Sequence, residues 1–87
     1  MKIYYSSKFE KEYKKLSKKV KLVAEKKEKL FRKDPFNPQL KTHKLTGKLK
    51  DFLAFSIDYQ YRIIFEFIDK NIVWFHSVGT HEIYTED

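Results

Sequence analysis

Between residues 52 and 68 the chain alternates. Leu53, Phe55 and Ile57 fall on one side and Phe52, Ala54, Ser56 and Asp58 on the other; then Tyr61, Ile63, Phe65 and Phe67 oppose Arg62, Ile64, Glu66 and Ile68. Alternation among aromatic and β-branched residues marks strands. Asp58, Tyr59 and Gln60 supply a tight connection, so the stretch predicts a β-hairpin. One face offers a full apolar row for burial. The other mixes apolar side chains with Ser56, Arg62 and Glu66 and is predicted to be only partly covered. An arginine in mid-strand demands a carboxylate, a phosphate or water. Glu66, two pleats along the same face, would serve; so would an external anion, and spacing alone leaves both open.

Upstream the period changes. Phe9, Tyr13 and Leu16 recur at helical spacing, and Val20, Val23, Ala24, Leu30 and Phe31 form a second apolar stripe interrupted by Lys27. Ser7 with Glu10 reads as a capping box for the first helix and Ser17 as the cap of the second. Asp34-Pro35 ends that helix, because proline disfavours helical geometry in the residue before it. Lys2 to Tyr5 is a short strand ahead of the helices, and Pro35 to Lys50 is an irregular, basic connection with a turn at Gly47. After a turn at Asp69-Lys70-Asn71 comes a third long strand, with Ile72, Trp74, His76 and Val78 alternating with Val73, Phe75 and Ser77. Both its faces are largely apolar, which predicts an interior place in the sheet. His76, on the row of Trp74, reads as a packed, hydrogen-bonded histidine. Gly79 breaks the strand, and Thr80 to Tyr84 form a short tail before an acidic end. The order β-α-α-β-β-β predicts an α+β fold: two N-terminal helices on one face of a small, mostly antiparallel four-stranded sheet, with parallel pairing of the first strand.

Eighty-seven residues make one domain, 1–87. The absence of cysteine removes disulfides, thiolate nucleophiles and zinc-thiolate sites. No apolar run approaches the ~18 residues of a membrane span, and a cytoplasmic protein with no membrane partner is the expectation. Charge is uneven. Residues 8–33 carry twelve Lys/Arg against four Glu, whereas the rest of the chain is nearly balanced, within a net charge of +7. A smaller basic cluster lies at Lys41, Lys44, Lys48 and Lys50. Such asymmetry suits a polyanion or an acidic partner protein, and equally a solvated lysine-rich helix face.

The chemistry narrows by elimination. No nucleotide loop or nucleophile elbow is present, and GKLKD lacks the second glycine and the Ser/Thr of a phosphate loop. His43, His76 and His81 lack metal-ligand spacing, so neither metal nor cofactor is expected. What remains is His43, Lys44, Lys48, Lys50, Asp51, Arg62, His81 and Tyr84. Histidines exchange protons near neutral pH, and lysine and arginine stabilise charge building on phosphorus. Metal-free RNA cleavage needs this set: a base for the 2′-hydroxyl, a cation for the phosphorane, an acid for the leaving 5′-oxygen.

The run HKLTGKLKDFLAFSIDYQYRIIFEF, followed by VWFHSVGTHEIY, resembles the RelE/ParE toxin superfamily, most of all its RelE/StbE and YafQ-like mRNA interferase branch. The resemblance spans nearly the whole chain. It implies a type II toxin that cleaves mRNA in the ribosomal A site and is neutralised by a cognate antitoxin. It places His43 where YafQ-like members carry a catalytic histidine, Arg62 on the strand arginine, His81 on the histidine of a GTH motif and Tyr84 on a C-terminal aromatic. Lys48 and Lys50 fall near the basic loop that binds phosphates, and Lys44 joins them as a candidate substrate-binding residue. The basic helices would then meet ribosomal RNA. Ser56 and Gln60 depart from the family's histidine and aspartate, and HEIY is one residue shorter than the usual tail. Two other functions compete: a ParE-like gyrase inhibitor and a non-enzymatic basic nucleic-acid-binding module.

Overall fold

The structure is a computed structural model that describes residues 1–85; the acidic end at Glu86 and Asp87 lies outside the described residues. Its elements are β1 (Lys2–Tyr5), α1 (Ser7–Lys14), α2 (Lys18–Lys33), β2 (His43–Lys44), β3 (Leu53–Ser56), β4 (Arg62–Asp69) and β5 (Ile72–Gly79). Short 3-10 turns cover Pro38–Leu40, Gly47–Leu49 and His81–Thr85. The sheet has five strands, in the order β1-β5-β4-β3-β2, one more than the sequence predicts. The addition is β2, two residues long and therefore without a readable period; it adds antiparallel to the outer edge of β3. The first strand pairs parallel with β5, as expected, and all other pairings are antiparallel.

The hairpin's apolar row lies against the helices. Phe55, Ile57, Ile63 and Phe65 join Phe9, Ala24, Phe31, Val73 and Phe75 in one buried cluster, with Val20, Val23 and Leu30 packed around it. Phe31 is its centre: its ring stacks on Phe55 at 4.8 Å and meets Phe65 and Phe75 edge-on at 4.9 and 5.5 Å. Such ring pairs stabilise beyond simple area burial. Ser17 caps α2 as expected, accepting from the Val20 amide at 3.2 Å, and Asp34 turns extended at its other end.

Two local readings are corrected. The cap of α1 is Ser6, not Ser7: its Oγ accepts from the Phe9 amide at 2.9 Å while its hydroxyl donates to the His76 carbonyl at 2.7 Å. The second bond decides between two identical residues, and only the tertiary fold supplies it. The regular alternation expected along β5 also fails. Ile64 pairs with Ser77 but Phe65 with Phe75, so His76 is an extra residue in a β-bulge. Beyond it the faces exchange: Val78 joins Val73 and Phe75 in the helix-side core, and Ser77 turns to the opposite face beside Ile64. Side chains of α1 and its cap serve the bulge backbone, Ser6 at the His76 carbonyl and Glu12 Oε1 at the Val78 amide, 3.0 Å away. Among the described residues no helix is long and apolar enough to cross a membrane.

Candidate functional site

The face turned away from the helices is built differently. Register places His43, Ala54, Ile64 and Ser77 along one row and Ser56, Arg62 and Gly79 along the next. The 3-10 turn His81–Thr85 doubles back over these rows. Ile83 is buried against Ala54 and Ile64, with Leu45, Leu49, Phe52 and Tyr84 around them. Gly79 makes the return possible. A Cβ there would stand 2.6 Å from Ile83 Cγ2, inside any allowed contact. The sequence reading treats Gly79 only as a strand breaker; its second duty depends on a contact four residues away that local sequence does not announce.

The returning tail brings three of the expected residues together. His81 is exposed, and its ring meets Tyr84 at 5.8 Å in an edge-on arrangement. The Tyr84 hydroxyl is buried and makes no hydrogen bond among the described residues. Burial raises its pKa, and the Arg62 guanidinium beside it pulls the other way without reversing the shift. Burial thus favours the neutral phenol at Tyr84. Arg62 does not resolve through Glu66. Its Nη1 donates to the Asp58 carbonyl at 3.0 Å, with Tyr61 and Tyr59 carbonyls at 3.4 and 3.5 Å. Carbonyls position a guanidinium but leave its positive charge uncompensated, so it stays available to an anion.

His43 stands on the same face, at the outer edge, exposed. Its Nδ1 lies 3.0 Å from the Lys41 carbonyl. A carbonyl only accepts, so Nδ1 carries the proton and, in the neutral ring, Nε2 presents a lone pair to solvent. Lys48 and Lys50 are exposed on the loop around Gly47–Leu49, which Leu45 and Leu49 pin to this face. Lys44 is separated from them: it pairs with Leu53, whose side chain packs on the helix-side core. His76 is packed as expected, its ring stacked on Phe52 at 5.0 Å, but among the described residues its buried Nδ1 has no partner, where the sequence predicts a hydrogen-bonded histidine. Ser77 Oγ is likewise buried and unpaired. Both lie at the bulge, which the sequence does not reveal.

A model of the YafQ family, described as the bacterial toxin of a type II toxin-antitoxin system, matches residues 1–85. The chain belongs to the YafQ toxin family. Solved structures carry the same fold. YafQ from E. coli strain BL21(DE3) superposes with a TM-score of 0.79 at 20% identity, over 97% of both chains. A YoeB/ParE toxin from Agrobacterium tumefaciens gives 0.78 at 13% identity, over 93% of this chain and 99% of that one. The E. coli DinJ-YafQ toxin-antitoxin complex gives 0.74 at 22% identity, over 97% and 96%. A search of curated proteins finds no match. The α+β architecture read from the pattern is thus that of the YafQ and YoeB structures, and this chain carries its His81 and Tyr84 tail on the sheet's open face.

Proposed function

We propose that this toxin is a ribosome-dependent, metal-independent endoribonuclease that cuts mRNA in the A site. The observation that carries the reading is the return of His81 and Tyr84 to the face that bears Arg62 and His43. His43, with Nε2 open, takes the proton from a 2′-hydroxyl, and the resulting oxygen attacks the adjacent phosphate. Arg62 and Lys50 hold the phosphorane as its charge builds. His81 returns a proton to the leaving 5′-oxygen, so the products are a 2′,3′-cyclic phosphate and a 5′-hydroxyl. Tyr84 stacks on a base, with its raised pKa keeping it uncharged. Lys48 guides the backbone, whereas Lys44, turned to the other face, takes no part at the cut site; the exposed lysines of α1 and α2 meet ribosomal RNA through salt-sensitive contacts in the cytoplasm. A cognate antitoxin silences the toxin, as the DinJ-YafQ and YoeB-YefM complexes of its structural relatives suggest.

The test is induced expression of wild type beside His81→Ala and Arg62→Ala, each checked for folding, with growth and the 5′ ends of translated mRNA followed. Arrest with new 5′ ends, lost in both folded variants, is the expected result. Arrest with intact mRNA would replace the reading with a gyrase-type inhibitor. Full activity in both variants, abolished by reversing the helix lysines, would replace it with a non-enzymatic binding module.

A further inference from the structure

Arg62 also lines a second cleft, at the end of the hairpin, of about 370 Å³. Lys27 of α2, Gln39 and Lys41 of the connection, and Ser56, Asp58 and Tyr59 of the hairpin complete it. Three cations face a single carboxylate there, and Asp58 Oδ1 is already engaged by the amides of Gln60 and Tyr61 at 2.9 and 2.8 Å. The volume suits one nucleotide.

Two features set this cleft apart from an ordinary basic surface. Tyr59 is 91% exposed, yet it stands on a rigid turn. The Asp58 side chain caps that turn, the Ile57 amide closes it onto the Tyr61 carbonyl at 2.9 Å, and Arg62 Nη1 ties it at the Asp58 carbonyl. An exposed aromatic on a fixed backbone loses little freedom when it stacks. Lys41 is the one non-glycine residue with positive φ, at 53°, among the described residues. Its amide bonds the Pro38 carbonyl at 3.2 Å and its own carbonyl takes His43 Nδ1. A backbone conformation unfavourable to lysine is thus held from both sides, and it sets a cation beside the cleft.

We propose that this cleft holds a nucleotide of the substrate RNA strand outside the scissile linkage, its base stacked on Tyr59 and its phosphate held by Lys27 and Lys41, with Arg62 forming the wall shared with the cut site. The inference rests on the endoribonuclease reading above. Continuity supports the assignment: Arg62 belongs to both this cleft and the Tyr84 side, and Lys41 orients His43 through its carbonyl. A strand leaving the cut site therefore meets the cleft next. Stacking platforms flanked by cations are how single strands are held without base readout.

The test is binding of a 2′-O-methyl hexanucleotide, which has no 2′-hydroxyl to react, followed by fluorescence anisotropy at low salt. Tyr59→Ala is expected to weaken it about tenfold with little change in salt dependence. Lys27→Ala/Lys41→Ala should weaken it and lower the salt slope by about 0.7, the share of the one phosphate held there. Lys14→Ala/Lys18→Ala, which removes the same charge from the other end of the helices, should do less. Wild type that fails to bind, a Tyr59→Ala that binds like wild type, or a control pair as weak as the cleft pair overturns the assignment. A second arm uses ribosomes with and without a 2′-O-methyl A-site codon. Tyr59→Ala should weaken binding only when the codon is present; equal weakening without it would assign the cleft to ribosomal RNA and overturn the substrate-strand proposal. Because the hexamer assay involves no cleavage, either result leaves the cleavage test independent.

Discussion

The two faces of the sheet solve different problems. Against the helices, Phe9, Phe31, Phe55, Phe65 and Phe75 interlock in a buried core. On the open face the buried apolar cluster is just Ala54, Ile64 and Ile83, under a single short turn, and His76 Nδ1, Ser77 Oγ and Tyr84 Oη are buried there without a partner among the described residues. Unpaired buried polar atoms cost stability, ~1–3 kcal/mol each. One face can carry that cost because the other holds the fold.

This division predicts that damage to each face reads out differently. Phe31→Ala should be the most destabilising, by ~3–5 kcal/mol, since it opens a large cavity where four rings meet. Denaturant unfolding checks it, and a loss under 1 kcal/mol would mean that the core is not centred on this ring. Gly79→Ala should do the reverse. Its new methyl meets Ile83 Cγ2 and lifts the tail, so His81 and Tyr84 lose their place. A misplacement of about 1 Å can cost roughly a hundredfold in rate. The stability cost is bounded by the burial of one isoleucine side chain, ~2 kcal/mol. Cleavage kinetics beside a melt would show whether activity falls further than stability. A fully active Gly79→Ala would break the link between the tail's position and function.

The helix-side face was legible because it is repetitive: period-two rows and helical stripes record burial directly in residue order. The open face was less so. His43, Arg62, His81 and Tyr84 could be named from motif likeness, but their meeting place depends on Gly79 making room for Ile83, a contact outside the strand pattern. The bulge at His76 stays hidden because HSVG continues a regular alternation; the side chains that bond its backbone, Ser6 and Glu12, lie more than sixty residues away in sequence. Likewise Lys27, Lys41 and Tyr59 come from three separate segments, and no local period connects them.

Ser77→Ala sharpens the contrast on a smaller scale. Ser77 is 1% exposed and its hydroxyl makes no bond, so deletion should leave stability unchanged or raise it by up to ~1 kcal/mol. Destabilisation beyond that amount would show that the hydroxyl has a partner after all and that this face is better satisfied than its geometry indicates.

The smallest effect compares two phenols. The Tyr84 hydroxyl, on the open face, is buried without a hydrogen-bond partner among the described residues; Tyr5, at the rim of the helix-side core, donates to Glu28 Oε2 at 2.5 Å. Glu28 in turn meets Arg32 at 3.3 Å. Burial first, then the Glu28 bond and charge, push the Tyr5 pKa up to about 12, against the opposing pull of Arg32. A raised pKa means the folded state binds the proton more tightly. The stabilisation is therefore complete below the unfolded value near 10 and fades as pH rises through about 12. Tyr5→Phe removes both the bond and the titration. The stability gap between wild type and Tyr5→Phe should be widest at pH 8 and close towards pH 12, measured by urea midpoints at each pH. Because Tyr5 is partly exposed, the gap is small. A gap that stays constant across this range would mean that ring packing against Phe9 and Phe75, rather than the proton shared with Glu28, is what the hydroxyl's loss disturbs.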